Sequence, residues 1–205
     1  MLTQVAYPSN VLSQKQSSWL KNLALIGMGS VLIALCAPIS IKFPFTPVPI
    51  ALAGHLCLAL GVILGRNRGA LAVLAFLLQG VIGLPVFALG DSGLLHLLGP
   101  RGGYLIGYAA AAYVTGYLIE KMRERTAYKI FLALAIGNGI IYLLGIPQLS
   151  LFIGLKSAIL LGMIPFLLVD ALKLLVVYKG IKRFIPHSAT NLEFGPHQSS
   201  VDRRL

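Results

Sequence analysis

Acidic side chains are scarce: six aspartates and glutamates in 205 residues, with only 11% of the chain charged, 57% hydrophobic and a mean hydropathy of +0.85. A soluble domain carries about a quarter charged residues, so a soluble fold is excluded. No polar stretch between the apolar segments is long enough to fold separately, so one polytopic membrane domain is expected. Only two cysteines occur, Cys36 and Cys57. Both fall in apolar segments with no His or Cys at ligand spacing, which argues against a metal site and a disulfide framework. Nucleotide and hydrolase signatures are missing too. "GLKS" (154–157) lacks the glycine directly before lysine that a phosphate-binding loop needs, and neither H-E-x-x-H nor G-x-S-x-G occurs. His55 and His96 stand isolated. An enzyme, a catalytic residue, a metal and a cofactor are therefore not expected.

Basic residues are plentiful, and the formal net charge is +11. They punctuate apolar runs as topology signals do and form no basic face, so nucleic acid is not the expected partner and a lipid bilayer is. Six spans can be drawn at about 19–39, 50–64, 69–83, 103–119, 129–146 and 163–185. The second and third are short for the roughly 20 residues of a full crossing and are expected to be extended by irregular, protein-buried backbone. With the N-terminus inside, the inside segments hold Lys15, Lys21, Arg66, Arg68, the cluster from Lys121 to Lys129 and the basic residues from Lys179 onward; the outside segments hold only Lys42, Arg101 and Lys156. The expected architecture is an all-α, six-transmembrane-helix bundle with both termini cytoplasmic. It divides into a polar N-terminus (1–18), a membrane domain (19–185) and a mobile tail (186–205). The first apolar run has no small-residue cleavage site behind it, so it reads as a retained helix and not a signal peptide.

Two outside connections are unusual. "KFPFTPVP" (42–49) is too proline-rich to be helical throughout, and "LPVFALGDSGLLHLLGPRGG" (84–103) is long, apolar and broken by Gly and Pro. Lipid cannot satisfy their backbone groups, so both are expected to fold over protein or a cavity. Small residues recur at helical spacing: Gly103, Gly107 and Ala111 in the fourth span, and Ser30 and Ala34 in the first. Such stripes allow close helix approach, inside the bundle or, for the first span, against another subunit.

The apolar run "PFLLVDALKLLVV" (165–177) contains a carboxylate, Asp170, and an ammonium, Lys173. At a helix centre each costs about 2.5–3.5 kcal/mol on insertion scales, as much as the surrounding apolar side chains return at about 0.3–0.6 each. The pair is thus an expense the fold does not require. Lysine can snorkel, but aspartate is too short to do so. At i, i+3 the two share a helix face. They read either as a polar floor to a substrate cavity or as a packing device in a structural membrane protein; a proton-coupled carrier of a small carboxylate is a third reading.

"FTPVPI", "GVILGRNRGALAVLAFLLQGVIGLPVFA", "LLGPRGGYLIGY", "GNGIIYLLGI" and "PFLLVDALKLL" together resemble, in order and spacing, the BioY family, the biotin-binding S component of energy-coupling-factor (ECF) transporters. The resemblance runs from about residue 27 to 185. The chain departs from the usual pattern at Ala51 and Ala53, where Thr and Gln are common, and at Leu168 and Val169, where Pro-Gly often precedes the aspartate. The resemblance implies a six-helix substrate-binding subunit that joins a transmembrane coupling subunit and two ATPase subunits, in agreement with the missing phosphate loop. It also implies that small residues of the first helix touch the coupling subunit, with Ser30 and Ala34 as candidates. For biotin, Asp170 can accept from a ureido N–H and Lys173 donate to the ureido carbonyl. Arg101 then suits the carboxylate, which a guanidinium binds bidentately, the alternative being Lys173. Asn138 offers a further polar contact, and Tyr104 with Tyr108, one turn apart, an aromatic wall.

Overall fold

The structure, a computed structural model, describes residues 9–42, 44, 46, 48–123 and 127–184. The expected tail at 186–205 lies outside the described residues. Helix α1 (Ser9–Cys36) stops short of Pro38, and a two-residue antiparallel pair, β1 (Ser40–Ile41) with β2 (Ile50–Ala51), brackets the proline-rich connection. Then follow α2 (Ala53–Leu64), α3 (Arg66–Val81), a 3-10 turn (Ala88–Gly90), α4 (Leu94–Leu98), α5 (Gly102–Lys121), α6 (Ala127–Ile153), α7 (Leu155–Gly162) and α8 (Ile164–Phe184). Among the described residues the protein is all-α apart from that short pair. Helix α1 begins ten residues before the span expected at 19, so residues 9–18 continue the helix.

Among the described residues, two helices are long and apolar enough to cross a bilayer, Trp19–Cys36 in α1 and Tyr128–Ile153 in α6. A third is reached if Leu155–Leu167 and Val169–Gly180, bent by 43°, form one span. The other expected spans have physical reasons for falling short. Helix α2 has 12 residues, about 18 Å, and Gly65, at φ 85°, turns the chain straight into α3. This left-handed position favours glycine.

Helix α5 lies at the centre, against α2, α3 and α6. Its small residues permit the approach: a Cβ on Gly107 would press on the Ile141 backbone and one on Gly103 on Gly145, so this stripe serves α5–α6 packing. Opposite faces of α2 and α5 feed two cores. Leu58, Ala111 and Ile119 pack with Leu134, Leu149 and Phe166; Cys57, Leu60 and Ala112 pack with Ile33, Val73, Phe76 and Phe87. The long connection folds over protein as expected. Phe87 is fully buried edge-on to Phe76 (centroids 5.8 Å apart), and the Gln148 amide donates to the carbonyls of Leu97 (3.2 Å) and Gly99 (2.7 Å). The proline-rich connection is tied down by Thr46, whose hydroxyl donates to the Leu161 carbonyl at 2.7 Å.

Candidate functional site

Under that proline-rich connection lies a small cavity of about 50 Å³, partly open to the surroundings. Each wall follows from helical spacing. Helix α8 contributes Phe166, Asp170 and Lys173; α6 contributes Asn138, Ile141 and Tyr142; α5 contributes Tyr104 and Tyr108; α2 contributes Gly54 and His55. Val48, Pro49 and Ala51 close it from the connection. A side chain at Gly54 would meet the Tyr108 ring, so glycine there lets the aromatic wall stand close to α2.

Asp170 is 8% exposed and is the polar centre of the cavity. Its Oδ2 accepts from the Tyr142 hydroxyl and from the Asn138 amide at 3.4 Å. Its Oδ1 lies 3.5 Å from Lys173 Nζ and 3.7 Å from His55 Nε2, the latter beyond hydrogen-bond reach. Lys173 makes its shorter bond elsewhere, donating to the Ala51 carbonyl at 3.0 Å. The expected Asp170–Lys173 pair is therefore a long contact in a larger network, and the ammonium is held across the cavity by the backbone after the proline-rich connection. Oδ1 retains acceptor capacity, because Oδ2 takes both neutral donors.

Of the residues singled out from sequence, Asp170, Lys173, Asn138, Tyr104 and Tyr108 line this one cavity. Tyr104 also has a structural bond, its hydroxyl donating to the Gly162 carbonyl at 3.0 Å, and its ring stands edge-on to Tyr142. Arg101 is not among the lining residues. Its Nη1 lies 3.2 Å from Asp91 Oδ2, the oxygen that His96 Nδ1 approaches at 3.6 Å. Burial holds the His96 imidazole below its ordinary value, against the pull of Asp91. Of the candidate stripe on α1, Ser30 is buried and Ala34 half-buried. Ser30 is 2% exposed, accepts from the Gln79 amide of α3 at 3.2 Å and donates to the Gly27 carbonyl at 2.9 Å, while Ala34 packs on the core shared with Ile33.

Two polar side chains of the cavity escaped sequence reasoning. Tyr142 follows Asn138 by four, which puts both on one face of α6; that spacing was the available signal. His55 has no such signal. It is 3% exposed, and neither ring nitrogen has a hydrogen-bond partner although both are buried. A buried imidazole without partners costs about 1–3 kcal/mol per unsatisfied group, which is tolerated where a ligand completes it.

Known proteins are similar along nearly the whole chain. The biotin transporter BioY of Thermotoga maritima is 39% identical over 158 residues, covering 77% of this chain and 91% of its own. The biotin transporter BioY2 of Lactococcus lactis is 30% identical over 185 residues, covering 87% and 98%. The crystal structure of an S-component for biotin from an ECF-type ABC transporter superposes with a TM-score of 0.75 at 26% identity, covering 87% of this chain and 94% of that one. Residues 9–187 match the BioY family pattern, and the chain belongs to the BioY family.

Proposed function

We infer that this protein binds biotin in the cavity around Asp170 and serves as the substrate-binding membrane subunit of an ECF-type vitamin uptake transporter. The observation that carries the assignment of the site is the pairing of spare acceptor capacity on Asp170 Oδ1 with a buried, unpartnered His55 and a donor-rich Lys173. Biotin's ureido group offers two N–H donors and a carbonyl acceptor. Asp170 accepts one N–H, Lys173 donates to the carbonyl and His55 completes the polar end. The thioether ring and chain run along Tyr104, Tyr108 and Phe166. Arg101 stands at the start of α5, about one turn from Tyr104, and takes the carboxylate by exchanging it for Asp91.

In this reading six segments cross the membrane, with both termini cytoplasmic: α1, α2, α3, α5, α6 and α8. Helices α2 and α3 are completed by the irregular backbone beside them, which protein covers. The transmembrane coupling subunit and two ATPase subunits supply the energy. Ser30 and Ala34, turned toward α3, set the position of α1, and its exposed side at Met28, Val31 and Leu35 meets the coupling subunit.

Thermal melting of purified protein tests the ligand, since whatever binds only the folded state raises its stability by mass action. Biotin should stabilise, and the same concentration of biotin methyl ester or of an unrelated vitamin should do so far less. No shift with biotin would refute the reading and leave Asp170 and Lys173 as a packing device. Uptake should rise when the coupling and ATPase subunits are co-expressed; equal, ATP-independent uptake by this chain alone in liposomes would refute the proposed partnership.

A further inference from the structure

A second, larger hollow of about 640 Å³, open to the surroundings, lies between α6 and α8. Its walls are apolar: Phe131, Ala135, Leu143 and Pro147 on α6, and Leu167, Ala171 and Leu174 on α8. Leu143 is 69% exposed and Leu167 46%. At one end α6 and α8 meet through the rings of Phe131 and Tyr178, edge-on with centroids 6.5 Å apart. From Phe131 to Pro147 the groove follows α6 for about 24 Å at the rise of an α-helix, longer than one leaflet's share, about 15 Å, of the hydrocarbon core.

The groove is also the back wall of the polar cavity. Asn138 and Tyr142 line both hollows, and both donate to Asp170. Water entering the groove would compete for those donors, so an apolar filler preserves the Asp170 network. At the Phe131–Tyr178 end the chain is strongly basic. Lys129 stands at the start of α6, and α8 carries Lys179, Lys182 and Arg183 in its last turns. Neither helix holds any acidic residue except Asp170.

We propose that an anionic glycerophospholipid occupies the α6–α8 groove, its phosphate at the basic end by Lys129 and Lys179 and one acyl chain lying along Ala135, Leu143 and Leu167 behind Asn138 and Tyr142. Basic residues beside the junction of two membrane helices on the cytoplasmic side recognise anionic headgroups, and each lysine near the surface is worth about a fivefold gain in affinity. The site rests on the membrane-embedded reading and is independent of the ligand of the central cavity. Gly139 supplies a clean plug, because a Cβ there meets nothing within 4 Å, and Ala171 faces it from the other wall as an exposed residue.

The test uses the full-length protein in phosphatidylcholine nanodiscs containing a minor fraction of phosphatidylglycerol with a photoreactive group at the end of one acyl chain. A phosphatidylcholine bearing the same group serves as control. Labelling should concentrate on peptides 131–147 and 163–174 and should favour phosphatidylglycerol. It should fall about fivefold for Lys179→Gln and be lost in Gly139→Phe. If Gly139→Phe does not fold, Ala171→Phe, filling the groove from α8, decides the point. Uniform labelling of all lipid-facing helices, equal labelling by the two lipids, or persistence in the plugged variant would each overturn the proposal. So would cross-linking across the groove to a second copy in place of lipid.

Discussion

Substituting Asn for Asp170 removes one charge while keeping the shape of the side chain, so its effects separate a binding role from a packing role. In the parent, Oδ2 accepts from Tyr142 and Asn138, and Oδ1 faces Lys173 at 3.5 Å and His55 at 3.7 Å. The asparagine oxygen can keep the first two donors, but its NH₂ then points at Lys173, donor against donor. Ligand binding loses an ionised acceptor, about 1.5–3 kcal/mol, or roughly tenfold to a hundredfold in affinity for biotin. Unliganded stability falls as well, because breaking a buried pair from one side costs up to about 3–5 kcal/mol; the Ala51 carbonyl, at 3.0 Å from Nζ, keeps the loss at the lower end. The double change Asp170→Asn with Lys173→Met removes the stranded ammonium. It should melt at or above the parent temperature while its biotin affinity stays low. Titration calorimetry and melting in the same detergent give both quantities on both variants. Near-parent affinity in the double variant would refute the site assignment; a double variant that melts far below the single one would refute the electrostatic account.

His55→Leu should raise unliganded melting by removing two unpartnered buried nitrogens, worth about 1–3 kcal/mol each, while weakening biotin binding measured alongside; a variant that melts lower and binds normally would mean that the imidazole is a packing residue. Gly61→Ala should destabilise by about 1–3 kcal/mol, since the new methyl group meets the Ala112 backbone. Gly139→Ala, with open space around it, should stabilise by about 0.5–1 kcal/mol, and equal melting shifts for the two would contradict the packing described for α2 and α5. The folded-state value of His96 is lowered by burial, so its contribution is fully present above the ordinary value near 6.5 and is lost as pH falls through the lowered one. The melting temperature of the parent should accordingly drop on acidification more than that of His96→Gln, and parallel pH profiles would remove His96 from the account.

Asp170, Lys173 and Asn138 were legible from sequence because short or charged polar groups in an apolar helix are expensive and so call for partners inside the protein. Helical periodicity then carried Tyr104 and Tyr108 to one wall, and the two apolar connections were legible as covers because lipid leaves backbone groups unsatisfied. The tertiary structure alone decided which partners those groups meet. Lys173 turns to the carbonyl of Ala51, far away in the chain, and Tyr142 and His55, which have ordinary interfacial alternatives, gained meaning only from their distance to Asp170. Arg101 needs an anion, and a ligand carboxylate was the obvious one by chemistry. The irregular backbone after the 3-10 turn brings Asp91 to it as a partner within the chain, a placement no periodicity governs. Ser30 and Ala34 were legible as a small-residue stripe, but a stripe does not name its neighbour. The fold brings Gln79 of α3 to Ser30, and Ala34 packs beside the core that holds Val73 and Phe76.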